Sequence, residues 1–358
     1  MARTLPVRVI SPVIATLLSA GIPVSAEQTA VAIVIIIAAA LVAFLAYDGT
    51  VNKEITSDFF SMNTYSTVKL KGAESDEAAE EIRSLTEKLD TEILSRTSSK
   101  SVVSVLNKNG GGNAEKISDY LNVLFDVCKK SGGAFDFTLG AVSDLWSFSS
   151  NPVLPDETAI KDALSHSGYD KMKFDGKEID YSDKAAVVDF GGAGKGIALD
   201  EIKTVLENKK IREAVVSIGG SVLLMGDKKF TVGIRNPEGN SGSYIAKLHI
   251  PEGCVSTSGS YEQQFEFGGR KYHHILDPET GYPVDNGLLS VTIISDSGIL
   301  TDALSTACFV LGYEKGKELA ENYGCGVVFV TEDKKVYAEN GAENYIEITD
   351  NAYTLVMQ

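Results

Sequence analysis

The apolar residues of this chain follow two patterns: one unbroken run near the N-terminus, and periodic positions in the rest. Between Ala30 and Tyr47 no residue carries a charge. As a helix this run would be about 27 Å long, close to the thickness of the hydrocarbon core of a bilayer. A buried core helix is the alternative, but such helices rarely lack polar residues on every face. We therefore predict a membrane-spanning anchor, a transmembrane helix over residues 29–47.

The stretch before this run, residues 1–28, is also apolar in part, but Pro12 and Pro23 interrupt it. It contains the small residues VSA at 24–26, which resemble a signal cleavage site. Residues 1–28 are therefore expected to be a signal-like segment or a cytoplasmic N-terminal segment. A cleaved signal followed by an anchor, one uncleaved anchor and a two-span hairpin all fit this pattern.

The charges that flank the apolar run favour one orientation. Arg3 and Arg8 precede it, whereas Asp48 and Glu54 follow it with only Lys53 between them. Positive residues collect on the cytoplasmic side of membrane helices. This bias favours a single-pass anchor in the cell membrane with an extracytoplasmic body, whereas a two-span hairpin would return the body to the cytoplasm.

Residues 48–358 form the body of the chain, and their apolar positions predict helices that alternate with paired strands. Helical periodicity predicts helices over residues 76–95, 114–130, about 155–168, 196–209 and 299–323. Strand-like runs predict strands over residues 64–70, 213–218, 221–225, 230–234, 244–250, 288–295 and 326–331. Short turns such as Gly219-Gly220 join several of these strands, which favours antiparallel pairing. The predicted fold class is therefore α+β, with mixed or antiparallel sheets and packed helices.

Nothing in the body indicates a second independent domain. It shows no internal repeat and no low-complexity linker. The glycine-rich stretch at residues 107–113 (NKNGGGN) is predicted to be its most flexible loop, yet it is too short to separate two domains. Residues 48–358 are therefore expected to form a single domain.

The overall charge excludes one class of partner. The chain has 33 lysines and arginines against 49 aspartates and glutamates, a net charge of −16. The phosphate backbone of nucleic acid repels an acidic protein, and the sequence shows no basic run that offsets this repulsion. We therefore expect no nucleic-acid partner.

The four cysteines show neither paired nor metal-ligand spacing, and we expect them to be small buried hydrophobic residues.

A strand, a glycine-rich turn and a helix are predicted to follow one another at residues 188–200 (VDFGGAGKGIALD). Such junctions bind phosphates, because free amide groups and the helix dipole point at the anion. The stretch is not a P-loop, since Gly196 follows Lys195 where Ser or Thr is required, and Ile197 breaks the dinucleotide fingerprint. A phosphate cradle with Lys195 and a purely structural turn both remain as interpretations.

Two further stretches carry candidate side chains. Residues 131–140 (SGGAFDFTLG) place Asp136 between two aromatic residues, which could frame a planar ring or simply end a helix among buried aromatics. Adjacent histidines, His273 and His274, precede a turn with the sequence DPETG at 277–281. Because neighbours on a strand face opposite ways, at most one of the two histidines is expected to act in a site.

Asp302 and Thr306 lie four residues apart in the last predicted helix. That spacing places both side-chain oxygens on one face of the helix, where they could share a hard cation such as Mg²⁺. A solvent-facing Asp and a Thr that hydrogen-bonds its own helix would show the same spacing. The two residues alone do not decide between these interpretations.

Taken in order, these stretches and several shorter ones resemble the FAD:protein FMN transferase (ApbE) family of flavin transferases. The matching motifs are MNT at 62–64, GGAFD with Thr138 at 132–138, DFGG with KG at 189–196, SIGG at 217–220, TSG at 257–259, HILDP with TG at 274–281, and DAL with Thr306 at 302–306. Each motif is short, but together they run collinearly over most of the body. The resemblance implies a membrane- or envelope-attached enzyme whose residues 48–358 form a flavin transferase domain with an ApbE-like α+β fold.

The resemblance also implies a reaction and a set of site residues. Such an enzyme splits FAD at its pyrophosphate, transfers FMN to a Thr or Ser hydroxyl of an acceptor protein and releases AMP. Its cofactor would be Mg²⁺, its substrate FAD, and its partner a flavin-accepting protein subunit of an envelope electron-transfer system. By family position, the metal ligands would be Gly192, Asp302 and Thr306, and the FAD site would comprise Met62, Ala134, Phe135, Asp136, Asp189, Lys195 and Ile275. His274 is the catalytic candidate that takes the proton of the acceptor hydroxyl, although a histidine that only positions a phosphate would look the same.

Three other functions stay open. The same fold could act as a metal-dependent FAD pyrophosphatase that gives free FMN and AMP, since water and a protein hydroxyl attack the same phosphorus. It could be a non-catalytic FAD-binding protein, although the intact pair of Asp302 and Thr306 argues against that. A flavin carrier that itself receives FMN is disfavoured, because the nearest stretch to an acceptor motif, residues 132–138, departs from that motif at two positions.

Overall fold

The computed structural model describes residues 31, 33–42, 49, 52–148, 151–239 and 242–356. The predicted signal-like segment at 1–28 lies outside the described residues, and so does part of the predicted anchor at 29–47. Residues 33–42 are helical and most of their apolar side chains are exposed. Within the described part of the chain, no helix is both long enough and apolar enough to cross a membrane. The anchor therefore stays a prediction.

Most strands of the described residues belong to one sheet of nine strands. The strands are β1 (Glu54–Ser61), β2 (Thr64–Lys71), β3 (Gly111–Asn113), β4 (Met172–Phe174), β5 (Glu178–Tyr181), β6 (Glu213–Ile218), β7 (Ser221–Met225), β8 (Phe230–Arg235), β9 (Tyr244–Ile250), β10 (Gly253–Gly259), β11 (Gln264–Phe267), β12 (Arg270–His273), β13 (Leu288–Ser295), β14 (Gly326–Thr331), β15 (Lys335–Glu339), β16 (Ile346–Ile348) and β17 (Thr354–Val356). The large sheet has the order β1-β2-β6-β7-β10-β13-β14-β15-β17. Its pairs are antiparallel except β15 with β17, which confirms the predicted α+β class.

The helices confirm the predicted pattern and add two short ones that the pattern missed. They are α1 (Ser75–Lys88), α2 (Val102–Asn109), α3 (Ser118–Lys130), α4 (Gly140–Trp146), α5 (Glu157–His166), α6 (Gly194–Asn208) and α7 (Gly298–Asn322). Only α2 and α4 were not predicted. The predicted helix over 76–95 changes type near its end, because residues Leu89–Leu94 form a π-helical segment after α1.

The two faces of the large sheet are covered differently, and β10 shows how. Successive side chains of a strand point to opposite faces. Ser256 and Ser258 therefore hydrogen-bond to residues of α7 on one face, whereas Val255 packs into a second core on the other. That second core lies between the large sheet and the three-stranded sheet β16-β9-β8. The polar positions of β10 thus face the helix that carries Asp302 and Thr306.

The prediction of a flexible loop at residues 107–113 was wrong. Asn107 lies in the last turn of α2, and its side chain donates to the carbonyl of Val188 (2.8 Å) and accepts from the amide of the same residue (2.8 Å). Gly110 caps α2 in the left-handed conformation, φ 65°, and the next three residues form β3, which pairs with β5. The glycines serve backbone geometry here rather than flexibility. The four cysteines are buried and free, as predicted.

Candidate active site between helices α6 and α7

Helices α6 and α7 cross at two glycines. A methyl group added to Gly196 would lie 2.1 Å from the carbonyl oxygen of Gly298, and one added to Gly298 would lie 2.3 Å from the carbonyl oxygen of Gly196. No larger residue permits this approach. Asp200 of α6 fixes the crossing, because its carboxylate accepts from the amides of Gly298 (2.6 Å) and Ile299 (2.9 Å) at the start of α7.

This crossing buries the carboxylate of Asp302, whose residue is only 4% exposed. The amide of Gly196 donates to Asp302 Oδ2 over 3.0 Å, and the hydroxyl of Ser221 donates to Oδ1 over 3.3 Å. Lys195 Nζ lies 3.5 Å from the same Oδ1. A buried polar group needs such hydrogen-bond partners. Asp302 is therefore buried and held in place by protein groups, unlike the solvent-facing Asp of the alternative interpretation.

Thr306 lies one turn further along α7 and faces the glycine-rich turn. Its Oγ1 is 3.2 Å from Ser258 Oγ, which is itself 2.7 Å from Ser305 Oγ. A methyl group added to Gly192 would lie 3.5 Å from Thr306 Oγ1 and 3.1 Å from the ring of Phe135. Gly192 thus lies between Phe135 and Thr306. The structure places the backbone of Gly192 against Thr306, on the helix that carries Asp302.

The donor set at this point suits a hard cation that also binds substrate. It combines one carboxylate, one hydroxyl and a backbone segment, all of which offer oxygen ligands. Mg²⁺ is usually bound by one or two carboxylates together with substrate phosphates, so a full cage of acidic residues is not required. Among the described residues, no group of three His, Cys, Asp or Glu side chains could hold a metal ion. The predicted ligands therefore fit a magnesium site that phosphates would complete.

Lys195 stands in the first turn of α6, and its side chain is 26% exposed. The pKa of Lys195 is raised by the negative charge of Asp302, with a smaller contribution from Glu262. Its ammonium group is therefore charged at neutral pH and lies where the glycine-rich turn meets the helix. A positive charge at the start of a helix suits a phosphate, so the phosphate cradle stays a prediction for this turn.

Met62 reaches the same turn from the other side of the site. Met62 and Asn63 form the tight turn between β1 and β2, both in the left-handed region with φ 51° and 56°. The amide of Met62 donates to Asp90 Oδ2 over 3.1 Å. A methyl group added to Gly194 would meet the Met62 methyl at 3.5 Å. The hairpin therefore brings Met62 against the start of α6.

Asp189 is paired with an arginine that the sequence analysis missed. Arg96 Nε donates to Asp189 Oδ2 over 2.9 Å, and the other carboxylate oxygen accepts from the amide of Gly191 over 2.9 Å. Arg96 also forms an ion pair with Asp144 of α4. Asp189 thus links Arg96 to the glycine-rich turn. No local signal marks this pair, because 93 residues separate its members.

Asp136 has a structural role in the turn after α3. Its Oδ1 accepts from the amide (2.8 Å) and hydroxyl (2.7 Å) of Thr138, and its Oδ2 accepts from the amide of Tyr169 (3.0 Å). Burial raises the pKa of Asp136, and these hydrogen bonds oppose that shift. The aromatic neighbours, Phe135 and Phe137, are buried, and Ala134 is half-buried. Phe135 lies beside Gly192, whereas the carboxylate of Asp136 is occupied by protein groups.

The two adjacent histidines have different surroundings. His273 Nε2 donates to the carbonyl of Val284 over 2.8 Å, and its Nδ1 accepts from the amide of Ile275 over 3.3 Å. Both ring nitrogens are therefore used within the fold. His274 has a buried Nδ1 with no hydrogen-bond partner among the described residues. Burial, together with the nearby positive charge of Lys195, lowers the pKa of His274 to about 4.

Ile275 continues this segment into the core. It is 4% exposed, and its carbonyl accepts from the amide of Val284 over 3.0 Å. The segment after β12 is thereby tied to the segment before β13. His274 and Ile275 are held in place by this pairing.

The whole body resembles proteins of one family. A sequence model described as the ApbE family matches residues 62–329. A protein named FAD:protein FMN transferase from Treponema pallidum (strain Nichols) is 30% identical over 312 residues, which cover 80% of this chain and 86% of the relative. One of the same name from Escherichia coli (strain K12) is 29% identical over 231 residues, covering 62% of this chain and 66% of the relative.

Solved structures agree with the sequence comparison. The crystal structure of the ApbE protein from Thermotoga maritima superposes with a TM-score of 0.75 at 28% identity, covering 82% of this chain and 99% of that one. The apo form of the flavinyl transferase ApbE from Pseudomonas stutzeri gives a TM-score of 0.68 at 29% identity, covering 78% of this chain and 91% of that one. The chain therefore belongs to the ApbE family of flavin transferases, has the ApbE-like α+β fold and is a transferase.

Proposed function

We propose that this protein is a Mg²⁺-dependent FAD:protein FMN transferase, which moves FMN from FAD onto a Thr or Ser hydroxyl of an acceptor protein and releases AMP. The observation that carries this proposal is the convergence of Asp302, Thr306, Gly192 and Lys195 at the crossing of α6 and α7. An anionic ligand is expected there in spite of the acidic composition, because the ammonium group of Lys195 and the positive end of the α6 dipole lie there.

In this proposal Asp302, Thr306 and the backbone of Gly192 hold Mg²⁺. The bound ion would neutralise charge on the pyrophosphate oxygens. The protein fixes its own ligands beforehand, since Asp302 is hydrogen-bonded to Gly196 and Thr306 to Ser258. Preorganised charges of this kind lower the barrier to phosphoryl transfer more than covalent help does.

Lys195 and the start of α6 bind the phosphates. Lys195 stands in the first turn of α6, where the helix dipole adds to the positive charge of its ammonium group. Burial lowers the pKa of His274 most, and the charge of Lys195 adds to this effect. A pyrophosphate that neutralises Lys195 would offset that second contribution alone.

We assign the proton transfer to His274. Its imidazole is neutral at physiological pH, because burial and Lys195 disfavour the charged form, so it can accept a proton. The acceptor oxygen forms a bond to the FMN phosphorus, the bond from that phosphorus to the bridging oxygen breaks, and AMP leaves with that oxygen. The hydroxyl proton passes to His274 and then to solvent or to AMP.

The remaining predicted contacts surround this point. Met62 contacts Gly194, and Phe135 contacts Gly192, so both flank the turn that would bind the nucleotide. We propose that they, with Ala134 and Ile275, line the FAD site. Asp189 and Asp136 act in that site by shaping its two turns, because Arg96 and Thr138 respectively occupy their carboxylates.

The decisive experiment follows both products. The full chain is incubated with FAD, Mg²⁺ and an acceptor protein domain, and the mass of the acceptor and the amount of AMP are measured. An acceptor that gains FMN with an equal amount of AMP supports transfer. AMP with an unmodified acceptor shows the pyrophosphatase, and bound FAD without AMP shows a binding protein; either result overturns the proposal.

We also propose that residues 29–47 anchor the enzyme in the cell membrane with its catalytic body outside the cytoplasm. The uncharged run of apolar residues and the exposure of most side chains at 33–42 support this. Only residues 48–53 lie between the anchor and β1, so the body would stay within roughly 20 Å of the bilayer. Its acceptor would then be a subunit of an envelope electron-transfer system. Protease digestion of a C-terminal tag in intact spheroplasts tests the orientation, and a protected tag contradicts it.

A further inference from the structure

A cavity lies away from the crossing of α6 and α7. It has a volume of about 750 Å³ and is lined by the end of α1, the π-helical segment, α2, β3 and Lys116. None of the residues of the candidate active site lines it. Its volume falls within the range of about 300–1,000 Å³ that is typical of small-molecule sites.

One wall of the cavity is apolar. Val102, Val105, Leu106 and Asn109 line it from α2, at the spacing that places side chains on one face of a helix. Val105 is 44% exposed at this wall. An apolar side chain on a concave surface favours a ligand with an apolar body.

Three lysines line the same cavity: Lys88, Lys100 and Lys116. None of them has a hydrogen-bond or ion-pair partner among the described residues, and all three are exposed. Like charges around one cavity repel each other, and a bound anion would remove that repulsion. Such a grouping stands out in a protein with a net charge of −16.

The one acidic side chain of the cavity does not neutralise these lysines. Glu92 follows Lys88 by four residues, a spacing that forms ion pairs in α-helices. The segment from Leu89 to Leu94 is π-helical, however, so the register between the two residues is lost and no ion pair forms between them. The cavity therefore keeps three lysines against a single unpaired glutamate.

We propose that this cavity binds a small organic anion, a phosphate or carboxylate attached to an apolar body. The apolar wall of α2 receives the body, and Lys88, Lys100 and Lys116 receive the charged group. Gly112 of β3 leaves room beside this wall, since a methyl group added to it would meet only Leu106, at 3.6 Å.

Isothermal titration calorimetry of the full chain with phenyl phosphate tests this site. We expect binding to a single site that is at least tenfold tighter than binding of inorganic phosphate or phenol, which carry only one half of the proposed chemistry. The affinity should fall at least tenfold in K88Q/K100Q/K116Q and in V105W, which fills the apolar wall from an exposed position. It should be unchanged in K69Q/K108Q/K247Q, which removes three exposed lysines outside the cavity.

Several results would overturn the proposal. One is a failure of phenyl phosphate to bind, and another is an equal loss of affinity in both triple variants. Inorganic phosphate that binds as tightly as phenyl phosphate would also contradict the site. Displacement of phenyl phosphate by FAD would place the probe in the flavin site.

A parallel titration with a short-chain phosphatidic acid identifies the source of the anion. Tighter binding of that lipid assigns the site to a lipid headgroup, and tighter binding of phenyl phosphate assigns it to a soluble compound.

Discussion

The amide of Gly196 donates a hydrogen bond of 3.0 Å to Asp302 Oδ2, and this bond joins the first turn of α6 to the first turns of α7. The bond is short-range in space but spans 106 residues of sequence. It fixes the carboxylate that we propose as a metal ligand before any ligand arrives. Lys195 directly precedes Gly196 in the chain. One turn of α6 therefore supplies both the amide that hydrogen-bonds to the Asp302 carboxylate and the ammonium group beside it.

Replacing Asp302 by Asn should abolish most activity while leaving the fold intact. Asn keeps the volume and one acceptor oxygen for the Gly196 amide, but it removes the charge that binds a cation. We expect the rate of FMN transfer to fall by roughly 10²–10³-fold or more, with little change in melting temperature. Acceptor mass and AMP release measure the first quantity, and thermal unfolding measures the second.

Two further variants control for the surroundings of Asp302. Asp302→Ala should also cost stability, about 1–3 kcal/mol, since it leaves the buried amide of Gly196 without an acceptor. Ser221→Ala removes only the 3.3 Å hydrogen bond to Oδ1, so its rate should fall by less than about tenfold. Full activity of Asp302→Asn would refute the metal site.

The helix crossing predicts opposite outcomes for two neighbouring glycines. A methyl group at Gly196 would lie 2.1 Å from the backbone of Gly298, so Gly196→Ala should force the helices apart and lower the free energy of unfolding by about 1–3 kcal/mol or more. A methyl group at Gly194 would make ordinary contacts with Met62 and Leu94, at 3.5 and 3.8 Å. Gly194→Ala should therefore be neutral or slightly stabilising. Urea unfolding measures the stability of both variants. Equal stabilities would contradict the geometry of the helix crossing.

Strands with alternating or continuous β-branched residues were predictable almost to the residue. Strands β6, β7, β9, β13 and β14 occupy the predicted ranges. Strand β10 was missed, because its inward positions on the α7 side are occupied by Cys254, Ser256 and Ser258 rather than by large hydrophobic residues. Its polar pattern is explained only by the hydroxyl network that it forms with α7. That network depends on tertiary packing, which no local pattern encodes.

The candidate site was only partly predictable, because its contacts also depend on tertiary packing. The spacing of Asp302 and Thr306 indicated a shared helix face, but it did not show that Gly196 and Ser258 would bind their oxygens. Arg96 carried no signal at all, since its partner Asp189 lies on a distant turn. Long-range ion pairs of this kind arise only when the chain is folded.

Arg96 should matter for FAD binding through Asp189. Arg96→Gln removes the charge that faces the Asp189 carboxylate and loosens the turn that ends at Gly191. We expect the KM for FAD to rise about tenfold, a loss of roughly 1.4 kcal/mol, with a smaller effect on kcat. Asp144→Asn is the matched control, because it leaves the bond between Arg96 Nε and Asp189 intact and should change KM by less than about threefold. Equal effects of the two variants would show that Asp189 does not depend on Arg96.

His274→Ala separates the two roles of that histidine. If the imidazole accepts the hydroxyl proton, kcat should fall by about 10²–10⁴-fold while FAD binding stays normal. If it only positions a phosphate, FAD affinity should fall instead. Stopped-flow measurement of FAD binding and single-turnover measurement of FMN transfer distinguish these outcomes. Unchanged turnover with normal FAD binding would rule out the assignment as a base.

The buried imidazole of His274 also predicts how stability depends on pH. Its pKa is about 4 in the folded protein, below the ordinary value of about 6.5. As pH falls through this interval, His274 takes up a proton in the unfolded chain but not in the folded protein. The contribution of His274 to the free energy of unfolding is therefore complete above pH 6.5 and is lost toward pH 4. This one group should account for about 2–3 kcal/mol of the loss. Urea unfolding between pH 7 and 4.5 should therefore show a shallower decline in His274→Gln than in the unmodified protein. Identical pH profiles would mean that the ring of His274 is solvated rather than buried beside Lys195.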